Sequence, residues 1–163
     1  MQYFLTGASG FIGKRLVKKI LEREGSTVFF LIRESDKESL EHLYEFWNCD
    51  SHRAIPVVGD LTQPLLGVSP ADRKKIGKKT AHFFHLAAIY DLNADAESQL
   101  RVNVQGTRNT VQFAEAIGAK HFHLFSSIAS AGLFEGLFRE DMFEEAEGLE
   151  HPYFRTKHDS EGI

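Results

Sequence analysis

One cysteine, Cys49, is all that 163 residues provide, so no disulfide can form within the chain. A chain that does without disulfides suits a reducing compartment, and the cytoplasm is the expected location. Long apolar runs are missing too. None approaches the roughly 20 residues that a membrane-spanning helix needs. The start, Met1-Gln2-Tyr3-Phe4-Leu5, lacks the positive segment and long apolar stretch of an export signal, so neither insertion nor export is indicated. There is no excess of positive charge: the net charge is -4. The two basic clusters, Lys14, Arg15, Lys18 and Lys19, then Arg73, Lys74, Lys75, Lys78 and Lys79, have no aromatic residues interleaved. They read as solvated helix faces, and no nucleic-acid partner is expected. Internal repeats and low-complexity tracts are absent. Among eight histidines there is no His-Glu-x-x-His, and His82, His85, His121 and His123 fall on predicted strands, so packed or surface imidazoles are expected there and no metal site.

What is present is a chain with 42% hydrophobic and 26% charged residues, enough for one sizeable core, and residues 1–163 read as one domain. Short apolar runs alternate with segments of helical period. Strands are predicted at Tyr3 to Leu5, Val28 to Ile32, Ala54 to Val58, His82 to Leu86 and His121 to Phe125. Helices are predicted at Phe11 to Arg23, Ser35 to Trp47, Ala94 to Ile117 (closed by Gly118) and from His151 onward, where Pro152 sits at a position whose missing N–H costs nothing. Strand and helix in alternation require crossover connections. The expected fold is therefore α/β, a doubly wound parallel sheet of the Rossmann type, with its ligand outside the carboxyl ends of the strands where the first meets the fourth.

Each chemical motif falls at such an end. Thr6-Gly7-Ala8-Ser9-Gly10-Phe11-Ile12-Gly13 joins the first strand to the first helix. Gly7 permits a tight turn, Gly10 lets backbone approach a pyrophosphate, Gly13 lets the helix lie close to the sheet, and free helix N–H groups face the phosphates. At the end of the second strand Arg33 directly follows the apolar run and Glu34 comes one residue later. An arginine facing the ribose pairs a 2′-phosphate, whereas an acid there binds a free 2′-hydroxyl. NADP(H) is expected, and NAD(H) remains the alternative, because a one-residue shift of the strand end would exchange the two roles. Tyr153-Phe154-Arg155-Thr156-Lys157 places a phenol and an ammonium four residues apart, on one helix face, so that Tyr153 can exchange a proton near neutrality. Phe125-Ser126-Ser127, after the fifth strand, offers a hydroxyl to hold a carbonyl oxygen beside that tyrosine. Ser127 is the expected residue and Ser126 its reserve; the alternative is that both only cap the next turn.

The spacing Thr-Gly-x-x-Gly-x-x-Gly, followed by a serine after the fifth strand and a Tyr-x-x-x-Lys, resembles the extended short-chain dehydrogenases/reductases, and the resemblance runs the length of the chain. It implies further roles. In Gly59-Asp60-Leu61 the acid would bind the adenine amino group. In His85-Leu86-Ala87-Ala88 the two alanines would form a small-residue floor beneath the adenine-side ribose. Lys157 would also bind the nicotinamide-side ribose, Ser127 would be the catalytic serine, and Asn103 would give structural support near Lys157. The expected chemistry is carbonyl reduction, with the oxygen held by Ser127 and protonated by Tyr153, or its reverse on an alcohol.

The substrate is read from Ile128 to Glu150, long for a loop, where Leu133, Phe134, Leu137, Phe138, Met142 and Phe143 mix with acidic residues, among them Glu135, Glu140, Asp141, Glu144 and Glu145. Ser-Ser-Ile-Ala-Ser-Ala-Gly-Leu-Phe and Phe-Arg-Glu-Asp-Met-Phe are most similar in wording to bacterial fatty acyl-CoA and fatty aldehyde reductases. The implied substrate is an acyl or other apolar carbonyl compound. Hydroxysteroid dehydrogenases and sugar-nucleotide epimerases are the runners-up, and a non-catalytic nucleotide sensor would not need Ser127, Tyr153 and Lys157 together. Relatives continue past the tyrosine helix, so a chain ending at Ile163 is expected to lack a C-terminal substrate region, to bind cofactor weakly and to turn over little by itself. The family also makes a homodimer reasonable, through the helix before the fifth strand and the tyrosine helix.

Overall fold

The computed structural model describes residues 1–163. Five strands, β1 (Gln2–Thr6), β2 (Thr27–Ile32), β3 (Ala54–Val58), β4 (Thr80–His85) and β5 (His121–Leu124), form one parallel sheet in the order β3-β2-β1-β4-β5. The chain winds outward from β1 to one edge and returns past it to the other, so the carboxyl ends of β1 and β4 flank the switch point.

Strands covered on both faces are apolar throughout rather than alternating. In β1, Tyr3 and Leu5 pack with Val28, Phe30, Val17 and Trp47 on one face, whereas Phe4 packs with Phe29, Val57, Phe83 and Phe113 on the other. Phe4, Phe30, Phe83 and Phe113 are fully buried, each contributing about 2–3 kcal/mol of hydrophobic stabilisation. Helices α1 (Phe11–Leu21) and α2 (Leu40–Trp47) cover the first face. Helix α5 (Gly106–Ala116) covers the second through Phe113 and Ala114. No helix is long and apolar enough to cross a membrane.

The structure departs from the periodicity in three places. The segment predicted as helix from Ser35 opens with a 3-10 turn, Glu34–Ser39, and becomes α-helical only at Leu40; the turn buries no residue, so nothing apolar organises it. A short helix, α3 (Pro70–Ile76), was not foreseen, because Ile76 is its only buried residue and it shows no apolar stripe. Its start is nevertheless written in Ser69, whose hydroxyl caps the Asp72 N–H, and in Pro70 at the first helical position. Finally, the long helix predicted from Ala94 to Ile117 is α4 (Ala96–Gln99), a π turn (Leu100–Gln105) and α5. π turns concentrate at functional sites, and this one contains Asn103. The last helix, α6 (Pro152–Glu161), carries Tyr153 and Lys157.

Candidate active site

The turn from β1 into α1 has the shape of an anion cradle. Gly7 adopts a left-handed φ of +73°, and a Cβ there would stand 2.7 Å from the Ala87 nitrogen. A Cβ on Gly13 would overlap the Gly7 carbonyl oxygen, so helix and turn touch backbone to backbone. At Gly10 the space is otherwise open, with only the Gly7 oxygen at 3.3 Å. Helix α1 starts with no side-chain cap and no acid in its first turn; its first bond to the turn is Lys14 N–H to Gly10 O. The N–H groups of Phe11, Ile12 and Gly13 are left for a ligand. Ala8 is buried beneath the turn, Ser9 is exposed on it, and the side chains of Phe11 and Ile12 are exposed beside it. These residues fit the pyrophosphate of a dinucleotide.

The walls of the cleft come from the other strand ends. After β3, one oxygen of Asp60 accepts from both the N–H and the hydroxyl of Thr62 at 2.8 Å, which leaves the second oxygen for a ligand. Leu61 turns into the core, and its carbonyl accepts from Asn109 Nδ2 at 2.7 Å. After β2, Arg33 is exposed and its Nε donates to Asp36 Oδ2 at 2.9 Å. After β4, Ala87 donates to the Thr6 hydroxyl, and Ala87 and Ala88 line a narrow cleft with His85, Phe125 and Lys157.

Lys157 lies at that cleft almost fully buried, 5% exposed. Its ammonium donates to the Phe125 carbonyl at 3.2 Å, and no carboxylate forms a salt bridge with it. Burial pushes its pKa below the usual lysine range, with Glu161 acting in the opposite direction. Tyr153, four residues earlier, is half-buried, and its hydroxyl has no hydrogen-bond partner in the chain. Ser127 caps the 3-10 turn Ile128–Ala131, its Oγ accepting from Ala129 N–H at 3.2 Å, and its own proton is left to donate. Ser126 is exposed. Lys157 thus reaches the end of β5, Ser127 follows that strand and Tyr153 stands one turn before Lys157 on α6, without direct hydrogen bonds among the three.

Asn103 is buried, and its contacts are structural. Its Oδ1 accepts from Ile89 N–H at 2.8 Å, and its Nδ2 donates to the Ile89 carbonyl at 3.0 Å and to the Thr156 hydroxyl at 3.2 Å. Its carbonyl accepts from both Thr107 and Ser160. The π turn is thereby tied to the loop after β4 and to α6, and Asn103, which also lines the cleft, supports the helix that carries Lys157.

Sequence reasoning missed the chain of hydrogen bonds centred on His85. Thr107 Oγ1 gives its one proton to the Asn103 carbonyl at 2.5 Å, so it must accept from His85 Nε2, 3.1 Å away. His85 Nδ1 then carries no proton and accepts from Thr6 Oγ1 at 2.6 Å. The ring is held neutral: burial first, and the charge of Lys157 second, lower its pKa to about 3. The only signal was the position of His85 at a strand end beside the two alanines.

A pH dependence follows. An unfolded histidine titrates near 6.5 and the folded one near 3, so the contribution of neutral His85 is complete above 6.5. As pH falls below that value the unfolded chain takes up the proton first, and stability drops by about 1.4 kcal/mol per pH unit until pH 3. Between pH 7 and 5 the loss assignable to this ring is about 2 kcal/mol. Urea unfolding at the two pH values should show a smaller loss for His85→Gln, and equal losses for both proteins would mean that the ring is not kept neutral.

Comparison with known proteins agrees with this fold. Residues 5–163 match the family model described as male sterility protein, an NAD-binding domain. A linear gramicidin synthase of Brevibacillus parabrevis is 31% identical over 172 residues, covering 98% of this chain and 3% of that protein. Fatty acyl-CoA reductase 1 of Homo sapiens is 29% identical over 142 residues, covering 78% of this chain and 27% of that protein. The crystal structure of the terminal R domain of the myxalamid PKS-NRPS biosynthetic pathway superimposes with a TM-score of 0.80 at 26% identity, covering 98% of this chain and 43% of that one. The chain therefore spans less than half the length of each of these relatives.

Proposed function

Starting from a chain that belongs to the male sterility protein family of NAD-binding domains, within the extended short-chain dehydrogenases/reductases, we propose that it is the cofactor-binding and proton-transfer part of a reductase acting on acyl thioesters or fatty aldehydes. The observation that carries this reading is Lys157, an almost fully buried ammonium without a salt-bridge partner, placed at the cleft that Ala87, Ala88 and Phe125 line after β4 and β5. A fold gains nothing by burying such a charge. A reaction that moves a proton and binds a ribose has a use for it.

The nicotinamide cofactor, when bound, supplies the hydride. The residues do the rest. The N–H groups at the start of α1 would hold the pyrophosphate, Asp60 would bind the adenine, and Ala87 and Ala88 would let the adenine-side ribose lie close to backbone. Lys157 would bind the nicotinamide-side ribose. Ser127 donates its free proton to the carbonyl oxygen, and Tyr153 protonates that oxygen as the carbonyl carbon is reduced. An aldehyde becomes an alcohol. A thioester becomes a hemithioacetal, which breaks its C–S bond to release an aldehyde and a thiol.

The acyl reading draws on relatives named as a fatty acyl-CoA reductase and as the terminal R domain of a PKS-NRPS pathway, and on the apolar Ile128, Leu133 and Leu137 exposed in the segment that follows Ser127. Arg33 supports NADP(H) over NAD(H). The test is cofactor oxidation by the intact gene product offered a long-chain acyl-CoA, a fatty aldehyde, a 3-keto steroid and a UDP-sugar. Consumption with the acyl substrates is expected. Activity confined to the steroid or the sugar would move the function to another branch of the family, and none with any substrate would favour a nucleotide sensor.

A further inference from the structure

We propose that Asp36 is a specificity-determining residue that holds the protein to a modest preference for the phosphorylated cofactor, so that NADH and NADPH are both bound. The inference rests on the reading of Arg33 as the group that meets the ribose 2′ position.

Arg33 leaves β2 in extended conformation (φ -76°, ψ 151°) as the residue before the 3-10 turn Glu34–Ser39. The turn closes with Asp36 N–H on the Arg33 carbonyl at 3.0 Å, which brings the Asp36 side chain back beneath the arginine. Asp36 Oδ2 accepts from Arg33 Nε at 2.9 Å, and Oδ1 accepts from the Ser35 hydroxyl at 2.9 Å. Both carboxylate oxygens are tethered, and the Arg33 bond, with that of Ser35, holds the carboxyl well below the usual carboxylate range. It is therefore ionised at any physiological pH.

The guanidinium is engaged along its Nε edge only. Both Nη groups are free of protein acceptors, so a phosphate has two parallel donors to reach. What it meets behind them is unfavourable. Within the turn, Glu34, Asp36 and Glu38 stand against Arg33 and Lys37, and Lys37 is itself paired with Glu34 at 2.7 Å. A 2′-phosphate bearing close to two negative charges thus approaches an arginine whose own charge is already offset, in a segment with one carboxylate in excess. A 2′-hydroxyl brings no charge and avoids that repulsion. The donors make NADPH acceptable, and the carboxylate directly behind them removes much of the advantage.

Asp36→Asn tests this in the intact protein, by fluorescence titration with NADPH and with NADH. Asparagine keeps the size and one accepting oxygen and removes the charge, and the site is exposed, so the fold tolerates it. The expected result is a Kd for NADPH lower by about tenfold, with that for NADH unchanged and the gain shrinking at high salt. Arg33→Ala is measured alongside. If it weakens NADPH alone while Asp36→Asn leaves NADPH binding unchanged or weaker, the proposal is overturned, and Asp36 merely orients Arg33. If Arg33→Ala changes neither cofactor, the Arg33 reading fails first and the proposal falls with it.

Discussion

Replacing Tyr153 with phenylalanine is expected to lower turnover on the productive substrate by about 10²–10⁴-fold, while the Kd for the cofactor and the unfolding midpoint stay where they are. The expectation that only the rate changes comes from the surroundings of the hydroxyl. The ring is half-buried on α6, and its O–H makes no hydrogen bond to the chain. Removing it leaves no buried group without a partner and opens no cavity, so the two usual sources of destabilisation are missing. The anchoring of the cofactor is also independent of it, since the glycine turn, Asp60 and Lys157 are unchanged. Only proton transfer should suffer. A loss smaller than about tenfold would assign the proton to another group, and Tyr153 would then be a packing residue with an exposed tip.

The second large effect separates two glycines that look alike in the sequence. At Gly13 a methyl group would overlap the Gly7 carbonyl oxygen and stand 2.9 Å from its carbon and 3.0 Å from Ala8 Cα. All three are backbone atoms of a turn already fixed against β4, so α1 itself must move. Gly13→Ala should cost about 3 kcal/mol and lose cofactor binding with it. At Gly10 the backbone is extended (φ -68°, ψ 170°), a conformation open to any residue, and the new methyl meets only the Gly7 oxygen at 3.3 Å. Gly10→Ala should lower stability by about 1 kcal/mol or less, as alanine replaces glycine before a helix. It should still weaken cofactor binding by tenfold or more, because the methyl occupies the ground over which the pyrophosphate approaches. Melting curves recorded with and without NADPH decide the matter. If Gly10→Ala were stabilised by cofactor as strongly as the parent protein, the phosphates would not lie over that turn.

How far the sequence could be read depended on whether each element is shaped by its own residues or by distant ones. The strands stood out because parallel strands covered on both faces must be apolar at nearly every position, and Val28 to Ile32 and Ala54 to Val58 coincide with the observed strands to within a residue. The glycine turn was legible for a similar reason, since a left-handed φ at Gly7 and a backbone contact at Gly13 exclude other side chains. Helix α3 escaped notice because a helix with one buried residue has no period to detect. The π turn escaped because what accompanies it is the bonding of Asn103 to Ile89, Thr156 and Ser160, residues far away along the chain. Arg33 was read correctly as the residue after β2, but its engagement with Asp36 depends on a turn that the periodicity assigned to a helix. His85 looked like any strand histidine. Its neutrality and proton order come from hydroxyls on β1 and α5.

Lys157 also bears on how such a protein evolves. Its burial depresses the charged form, so the folded state would be easier to reach with a methionine in the same seat, apart from the one carbonyl left without its donor. Selection for stability alone therefore pushes against this residue, and under the proposed function selection for cofactor binding and turnover retains it. Lineages freed both from reducing a carbonyl and from holding the nicotinamide-side ribose should lose the lysine early while keeping the glycine turn, whose residues also serve folding. A descendant with the turn intact and an apolar residue at position 157 would carry the signature of a reductase that no longer turns over.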